Sequence, residues 1–371
     1  MTGVAQVMNS LGRSGLEYVA SRLAQAFAQP DCDSHLLVTS RVSGDLFDEM
    51  LGDVRVEFFR RTWPLDLSPI RRLGRYLEEN DIQLVHSHNW VSAYQVWAAL
   101  RMSSARPVHV LHDHCGSYDE WRGPLDRVVL GSLDAVFTVT EPVRERFARL
   151  LGLGADRALR LPNGVALGPE RTPWTGRPTV IQVANFHVAK AHDTAFRSAA
   201  LLRERIPDLH WVCVGDLEEN LEYTGRMREL FDALELEGCV ELVGGCSDVR
   251  ERLRKANVGV LTSDTEGLPV SILEYMAESL PVVMTDVGQA PRLLEESQAG
   301  IVVPPQDPES CRDALAGLLG DPSEAATLGQ RGREYVGRSF SDEVMIDSVR
   351  ALYLDLLREG GKVELAERLR G

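Results

Sequence analysis

Short runs rich in Val, Ile and Leu alternate with helical stretches along this chain, and few folds accept that rhythm. In the first half the runs are VAQVM, HLLVTS, VRVEFF, QLVHSH, PVHVLH, AVFTVT and ALRLP. In the second they are TVIQVANF, HWVCVGD, CVELVGG, VGVLTS, PVVMTD and AGIVVP. Amphipathic segments such as LEYVASRLAQAF (Leu16–Phe27) separate the first set. Helices expected around 192–205, 220–235, 248–256 and 270–279 separate the second, and three more close the chain near 308–319, 323–338 and 341–358. Strands that alternate with helices predict an α/β chain built on parallel sheets covered by helices. A Pro/Gly-rich polar stretch, ALGPERTPWTGRP from Ala166 to Pro178, interrupts the rhythm and reads as a linker. The chain has 371 residues, more than the roughly 250–300 at which a single core stops growing. Two domains are therefore expected, 1–168 and 169–371, with a cleft between similar halves. Ligands in such sheets bind beyond the carboxyl ends of the strands, so the loops after strands carry the functional reading.

Composition narrows the partners. A formal net charge of −15, most of it after residue 170, argues against nucleic acid, which needs a basic footprint. The 44% hydrophobic content is that of an ordinary soluble protein, and no apolar run approaches the roughly 20 residues of a membrane span. Six cysteines, Cys32, Cys115, Cys213, Cys239, Cys246 and Cys311, form no CxxC pair. They read as reduced, buried thiols of a cytoplasmic protein. Lys190, Lys255 and Lys362 are the only lysines among 40 basic residues, so a lysine here is an informative choice.

Gly12-Arg13-Ser14-Gly15 follows the first run and opens a helix, a place where backbone amides favour an anion such as a diphosphate. By itself the signal is weak, and a tight strand-to-helix turn is the better reading. Lys190, in VANFHVAKAHD, lies between a strand and the helix beginning near His192, where it could neutralise a phosphate on a leaving group. Otherwise it is a solvated surface lysine. In TSDTEGLPVSILEYMAESLPVVMTD, Glu266 sits before a Gly267-Leu268-Pro269 turn and Glu274 eight residues on, a little over two helical turns away. Free amides at the start of that helix could hold phosphate oxygens or hydroxyls. A carboxylate accepts two hydroxyl hydrogen bonds and so suits a vicinal diol. The plainer readings are a capping acid for Glu266 and an exposed glutamate for Glu274. The second is awkward, because Ile272, Leu273, Met276 and Ala277 surround Glu274 and a buried acid needs a partner. His86, His88, His112 and His114 crowd two strand ends. No carboxylate trio or cysteine accompanies them, so no metal is expected and a hydrogen-bonding role toward a sugar is preferred.

Taken in order, GRSGLE, LVHSH, VLHDH, PNGV (Pro162–Val165), the KxHD segment Lys190–Asp193 and E-x7-E followed by PVV resemble the family 4 glycosyltransferases, retaining enzymes of the GT-B fold, also called glycosyl transferases group 1. The resemblance spans almost the whole chain. It implies two Rossmann-like doubly wound domains, an acceptor-binding one over 1–168 and a nucleotide-sugar-binding one over 169–371, with the final helix, 341–358, crossing back onto the first. It implies sugar transfer from a nucleoside-diphosphate sugar with retention of configuration, without cofactor or metal. Catalytic roles fall to His112, Glu266 and Lys190. The donor would be held by Gly12, Gly15, Asn185, Lys190, Glu266, Gly267, Leu268 and Glu274: Lys190 on the diphosphate, Glu274 on the ribose, and Glu266 with the Gly267 and Leu268 amides on the sugar. Arg13, His86 and His88 fall on the acceptor side. The sequence departs from the pattern at Asn185, where an arginine is usual, and at Ser14, Ser279 and Arg292.

A sugar-nucleotide epimerase of the same fold and a non-catalytic nucleotide-sugar-binding protein are the alternatives. A dinucleotide dehydrogenase fits less well, because Gly12-x-x-Gly15 is not GxGxxG. The acceptor, whether glycan, glycolipid or small molecule, is not legible, nor are the donor base and the oligomeric state. The segment Pro64–Leu77 combines Arg71, Arg72 and Arg75 with Leu73, Tyr76 and Leu77. It could touch a membrane surface or an anionic lipid-linked acceptor, although an ordinary surface helix is the simpler reading.

Overall fold

The computed structural model describes residues 2–11, 15–42, 54–60, 66–114, 124–151, 157–170, 175–246 and 249–370. The chain divides into two compact units, Met1–Gly164 joined by Asp342–Gly371, and Val165–Ser341. The division falls just ahead of the Pro/Gly-rich stretch.

The first unit holds β1 (Gly3–Leu11), β2 (Asp33–Val42), β3 (Arg55–Phe58), β4 (Ile82–Ser87), β5 (Val108–Asp113), β6 (Ala135–Thr138) and β7 (Ala158–Arg160). They form one parallel sheet in the order β3-β2-β1-β4-β5-β6-β7. Val7 of β1 pairs with Leu37 on one side and Ser87 on the other. β1 is thus the strand at which the chain reverses direction across the sheet. Every residue of β5 and β6 is buried, as expected of parallel strands covered on both faces. Helix Gly15–Phe27 covers one face with Val19, Leu23 and Phe27, one side chain per turn. Helix Trp90–Arg101 starts on a capping box in which Asn89 and Ser92 satisfy each other's backbone amides.

Helix Ser68–Glu79 turns Ile70, Leu73 and Leu77 into the core, and Tyr76 Oη meets His35 Nδ1 at 2.9 Å. Its apolar side is therefore covered by the sheet, and Arg71, Arg72 and Arg75 form an ordinary exposed polar face. Among the described residues no helix is long and apolar enough to cross a membrane. Helix Asp342–Glu359, the closing helix, packs Met345, Val349, Tyr353 and Leu357 against Val4, Leu23, Phe27, Leu84 and Val108. It completes the core of the first unit. Asp342 at its start accepts hydrogen bonds from Tyr18 Oη (2.7 Å) and Arg22 Nε (2.8 Å).

The second unit holds β8 (Thr179–Val183), β9 (His210–Val214), β10 (Val240–Val243), β11 (Val258–Leu261), β12 (Val282–Thr285) and β13 (Gly300–Val303). The parallel order is β10-β9-β8-β11-β12-β13, with the reversal at β8. β8 and β11 pair only at Val258–Val180 and Gly259–Ile181. Beyond that point the Tyr275 hydroxyl stands between them, accepting from Val183 N at 2.6 Å and donating to Val260 O at 3.3 Å. A Cβ on Gly259 would come 2.3 Å from the Tyr275 ring, so glycine makes room for it. One buried side chain thus replaces the backbone ladder and separates the carboxyl ends of the two strands at the reversal.

The start of the expected linker is not loose chain. Arg250 Nη2 donates to Ala166 O at 3.0 Å, and Arg333 Nη2 to Gly168 O at 2.6 Å. Two short helices, Ala290–Ser297 and Val363–Arg368, were not expected from the sequence.

Candidate active site

The reversal in the second sheet is where two expected site residues meet. Lys190 ends a 3-10 turn, Val188–Lys190, shortly after β8. Glu266 lies in the loop between β11 and helix Val270–Ala277. Lys190 Nζ donates to Glu266 Oε1 at 2.6 Å, with the Glu266 side chain 7% exposed and that of Lys190 28%. Ser263 Oγ donates to the same Oε1, also at 2.6 Å. Backbone bonds hold the two loops together: Asp264 N donates to Ala189 O at 2.9 Å, and Thr262 Oγ1 to Ala191 O at 3.0 Å. Ala191 takes the left-handed conformation, φ 45°, which turns the chain from the Lys190 turn into helix His192–Arg205.

The turn Glu266–Gly267–Leu268 is supported from behind by the loop after β12. Gln289 N donates to Gly267 O at 3.2 Å. Gly288 has φ 58°, and a Cβ on it would lie 2.1 Å from Glu266 O, so only glycine fits there. Pro269 precedes the helix without side-chain capping of its first amides, which leaves N–H groups available beside Glu266. Glu274 lies on the same helix, half-buried, with Leu273 and Tyr275 on either side fully buried. Its carboxyl is pushed up to about 7, chiefly by burial, with Arg250 opposing and Glu278 reinforcing the shift. Asn185 is exposed after β8, and its Oδ1 accepts from Asp216 N at 3.1 Å. It ties the loop after β8 to the loop after β9 rather than providing a cation.

In the first unit the histidines at the ends of β4 and β5 form one buried stack. His86, His88 and His112 are all 0% exposed. The His86 ring lies 4.3 Å from His88 and 5.4 Å from His112, nearly parallel to each. Gln6 Nε2 donates to the Tyr353 hydroxyl (3.2 Å), which in turn lies 2.6 Å from His86 Nδ1. His88 Nε2 donates to Gln6 Oε1 at 2.8 Å, and its Nδ1 lies 3.0 Å from His114 Nε2. His112 Nε2 donates to Leu161 O at 3.1 Å. Burial, followed by the neighbouring rings, holds His86, His88 and His112 well below the ordinary imidazole value, so they are neutral at pH 7. Two ring nitrogens, His86 Nε2 and His112 Nδ1, have no partner among the described residues.

Ring nitrogens of His86, His88 and His112 come within 4.8 Å of one another, the one grouping among the described residues that could hold a metal ion. Stacked rings aim their in-plane nitrogens along parallel planes rather than at one point, and both His88 nitrogens are already engaged. The arrangement suits a hydrogen-bonded polar core better than a coordination sphere. Gly15 begins helix Gly15–Phe27, whereas Gly12, Arg13 and Ser14 lie outside the described residues.

The sequence reading named Lys190, Glu266 and Glu274 but missed Ser263, Thr262, Gly288, Tyr275 and Tyr353. The last two act over separations of 92 and 267 residues, which no local pattern reveals.

Comparison with known proteins bears on the family and the fold. Residues 13–168 match the model of Glycosyltransferase Family 4, and residues 169–335 that of Glycosyl transferases group 1. A GDP-mannose-dependent alpha-(1-6)-phosphatidylinositol monomannoside mannosyltransferase of Mycobacterium tuberculosis is 28% identical over 292 residues, 71% of this chain and 74% of that one. An exopolysaccharide phosphotransferase of Streptomyces coelicolor is 28% identical over 241 residues, 64% of this chain, and this match spans only 25% of that longer protein. Among solved structures, Anabaena HepE in complex with UDP and glucose superposes with a TM-score of 0.78 at 16% identity, over 93% of this chain and 97% of that one. Sucrose-phosphate synthase of Thermosynechococcus elongatus gives 0.75 at 20% identity, over 97% and 100%. Two parallel sheets, each reversing at its first strand, together with both family matches, place this chain among the group 1 glycosyl transferases of the GT-B fold.

Proposed function

We propose that the protein transfers a sugar, with retention of configuration and without a metal, from a nucleoside-diphosphate sugar to a glycan, glycolipid or small-molecule acceptor. The meeting of Lys190 and Glu266 at the reversal of the second sheet carries this reading. It puts a cation and a carboxylate side by side, next to a helix start, at the place where such sheets bind ligands. Lys190 takes the diphosphate and stabilises it as it leaves. Glu266 and the Gly267 and Leu268 amides take the sugar hydroxyls, and Glu274 takes the ribose diol. The acceptor falls to the first unit, whose candidate residues are Arg13, His86, His88 and His112. The Mycobacterium tuberculosis relative is described as GDP-mannose-dependent, and the Anabaena structure contains UDP and glucose. Both support a nucleotide-sugar donor.

A thermal-shift screen against UDP, GDP, ADP and their sugars tests the reading, with Glu274→Ala as control. A ligand at 100 times its Kd stabilises the native state by about 2.7 kcal/mol. The expected result is a rise in Tm with one nucleotide class, abolished in Glu274→Ala. A folded protein that responds to none of them contradicts the donor site.

A further inference from the structure

Glu266 is an almost buried carboxylate whose two donors, Lys190 Nζ and Ser263 Oγ, both use Oε1 at 2.6 Å. The two are not equivalent. Lys190 is a long, flexible cation with three donors, and in the proposed function it must serve a diphosphate. Ser263 is fully buried two residues beyond β11, and its carbonyl accepts from Thr285 Oγ1 at 2.5 Å, so it is fixed from the neighbouring strand as well. If Lys190 alone held Oε1, its turn toward a diphosphate would leave a desolvated carboxylate oxygen without a donor, a state that costs free energy.

We propose that Ser263 is a positioning residue for Glu266: its hydroxyl holds Oε1 while Lys190 engages the diphosphate, and so leaves Oε2 for the hydroxyls of the donor sugar. This rests on the second unit being the nucleotide-sugar site. The role is confined to the sugar, because Ser263 acts through Glu266. Ser263→Ala therefore weakens sugar-bearing ligands and spares bare nucleoside diphosphates.

The test is calorimetric titration of the full chain with three pairs of probes: UDP and UDP-glucose, GDP and GDP-mannose, ADP and ADP-glucose. For the pair that the unmodified protein binds, Ser263→Ala is expected to raise the Kd of the nucleotide sugar about tenfold, the loss of one hydrogen bond to a charged group. The bare diphosphate should stay within about twofold of the unmodified protein. Ser263→Thr, which keeps the hydroxyl, should restore the sugar affinity. In a Glu266→Ala background, which removes the acceptor oxygen, Ser263→Ala should have no further effect. Equal weakening of both members of the pair, or a Ser263→Ala effect that persists in Glu266→Ala, would make Ser263 a merely structural residue and overturn the proposal. An unchanged sugar affinity in Ser263→Ala would overturn it as well. Binding of none of the six probes by the unmodified protein would overturn the donor-site reading itself, a result distinct from any of these.

Discussion

Glu274 shows how a single side chain can be at odds with its own helix. Fully buried neighbours desolvate its carboxyl and raise it from 4.5 to about 7, so in the free protein near neutrality it is partly protonated. The sign for stability follows from linkage. A raised folded value favours the folded state below about pH 4.5, and that contribution disappears as pH rises through about 7, where a charge must be carried in a desolvated place. The sign for binding is the opposite. A diol donates its hydroxyl hydrogens, so it selects the ionised acid and draws the proton off. Nucleotide affinity is therefore expected to be level above pH 7 and to weaken as pH falls from 7 to 6, approaching tenfold per pH unit as the limit for a single proton. Glu274→Gln should bind more weakly and without that dependence. Titration of the bound nucleotide at pH 6, 7 and 8 in both proteins reads the difference, and an equal slope in the variant would remove Glu274 from the site.

The loop that carries Glu266 depends on the loop after β12. Gly288, φ 58°, lies against the Glu266 carbonyl. Gly288→Ala must shift either the loop after β12 or the Glu266 turn, at a cost of about 1–3 kcal/mol in stability. Nucleotide-sugar affinity should fall by more than tenfold, because the turn moves with it. Gly317, inside helix Pro308–Gly320 with nothing within 4 Å of an added Cβ, is the control: Gly317→Ala should stabilise by about 0.5–1 kcal/mol and leave binding alone. Denaturant unfolding and titration of the two variants side by side check both expectations. Most of this element-scale order was legible in the sequence. Parallel strands buried on both faces read as continuous apolar runs, and every run identified there is a strand of the two sheets. Glu266 and Lys190 were legible because turns after strands concentrate glycine, proline and charge. Ser263 was not, since a serine at a strand end looks like any other until the chain brings it to Glu266. The crowding of histidines at two strand ends was legible too, but not the order of their rings, which Gln6 and Tyr353 set from remote parts of the chain. The helices Ala290–Ser297 and Val363–Arg368 are short, and a turn or two of periodicity does not stand out from background.

At the scale of the molecule the chain returns to where it began, since the first unit is closed by residues from Asp342 onward. Helix Asp342–Glu359 brings Val349, Tyr353 and Leu357, all 0% exposed, into the core built by β1, β4 and β5. Full burial of such side chains contributes about 1.5–3 kcal/mol each. That sum is comparable with the 5–15 kcal/mol that separates a folded domain from its unfolded chain. Removing the helix also deprives His86 Nδ1 of the Tyr353 hydroxyl, which leaves a buried imidazole with neither nitrogen satisfied. The second unit ends at Ser341 and contributes its own closing helix, Pro322–Ser339, whose Val336 is buried against Met276 and Leu280. Truncation after Ser341 is therefore expected to unfold the first unit and leave the second folded. Calorimetry should show the loss of one transition, and limited proteolysis should leave a resistant core beginning near Val165. Retained nucleotide binding by that truncated chain would show that the donor site lies wholly within the second unit, whereas two intact transitions would mean that the closing helix is dispensable to the core it occupies.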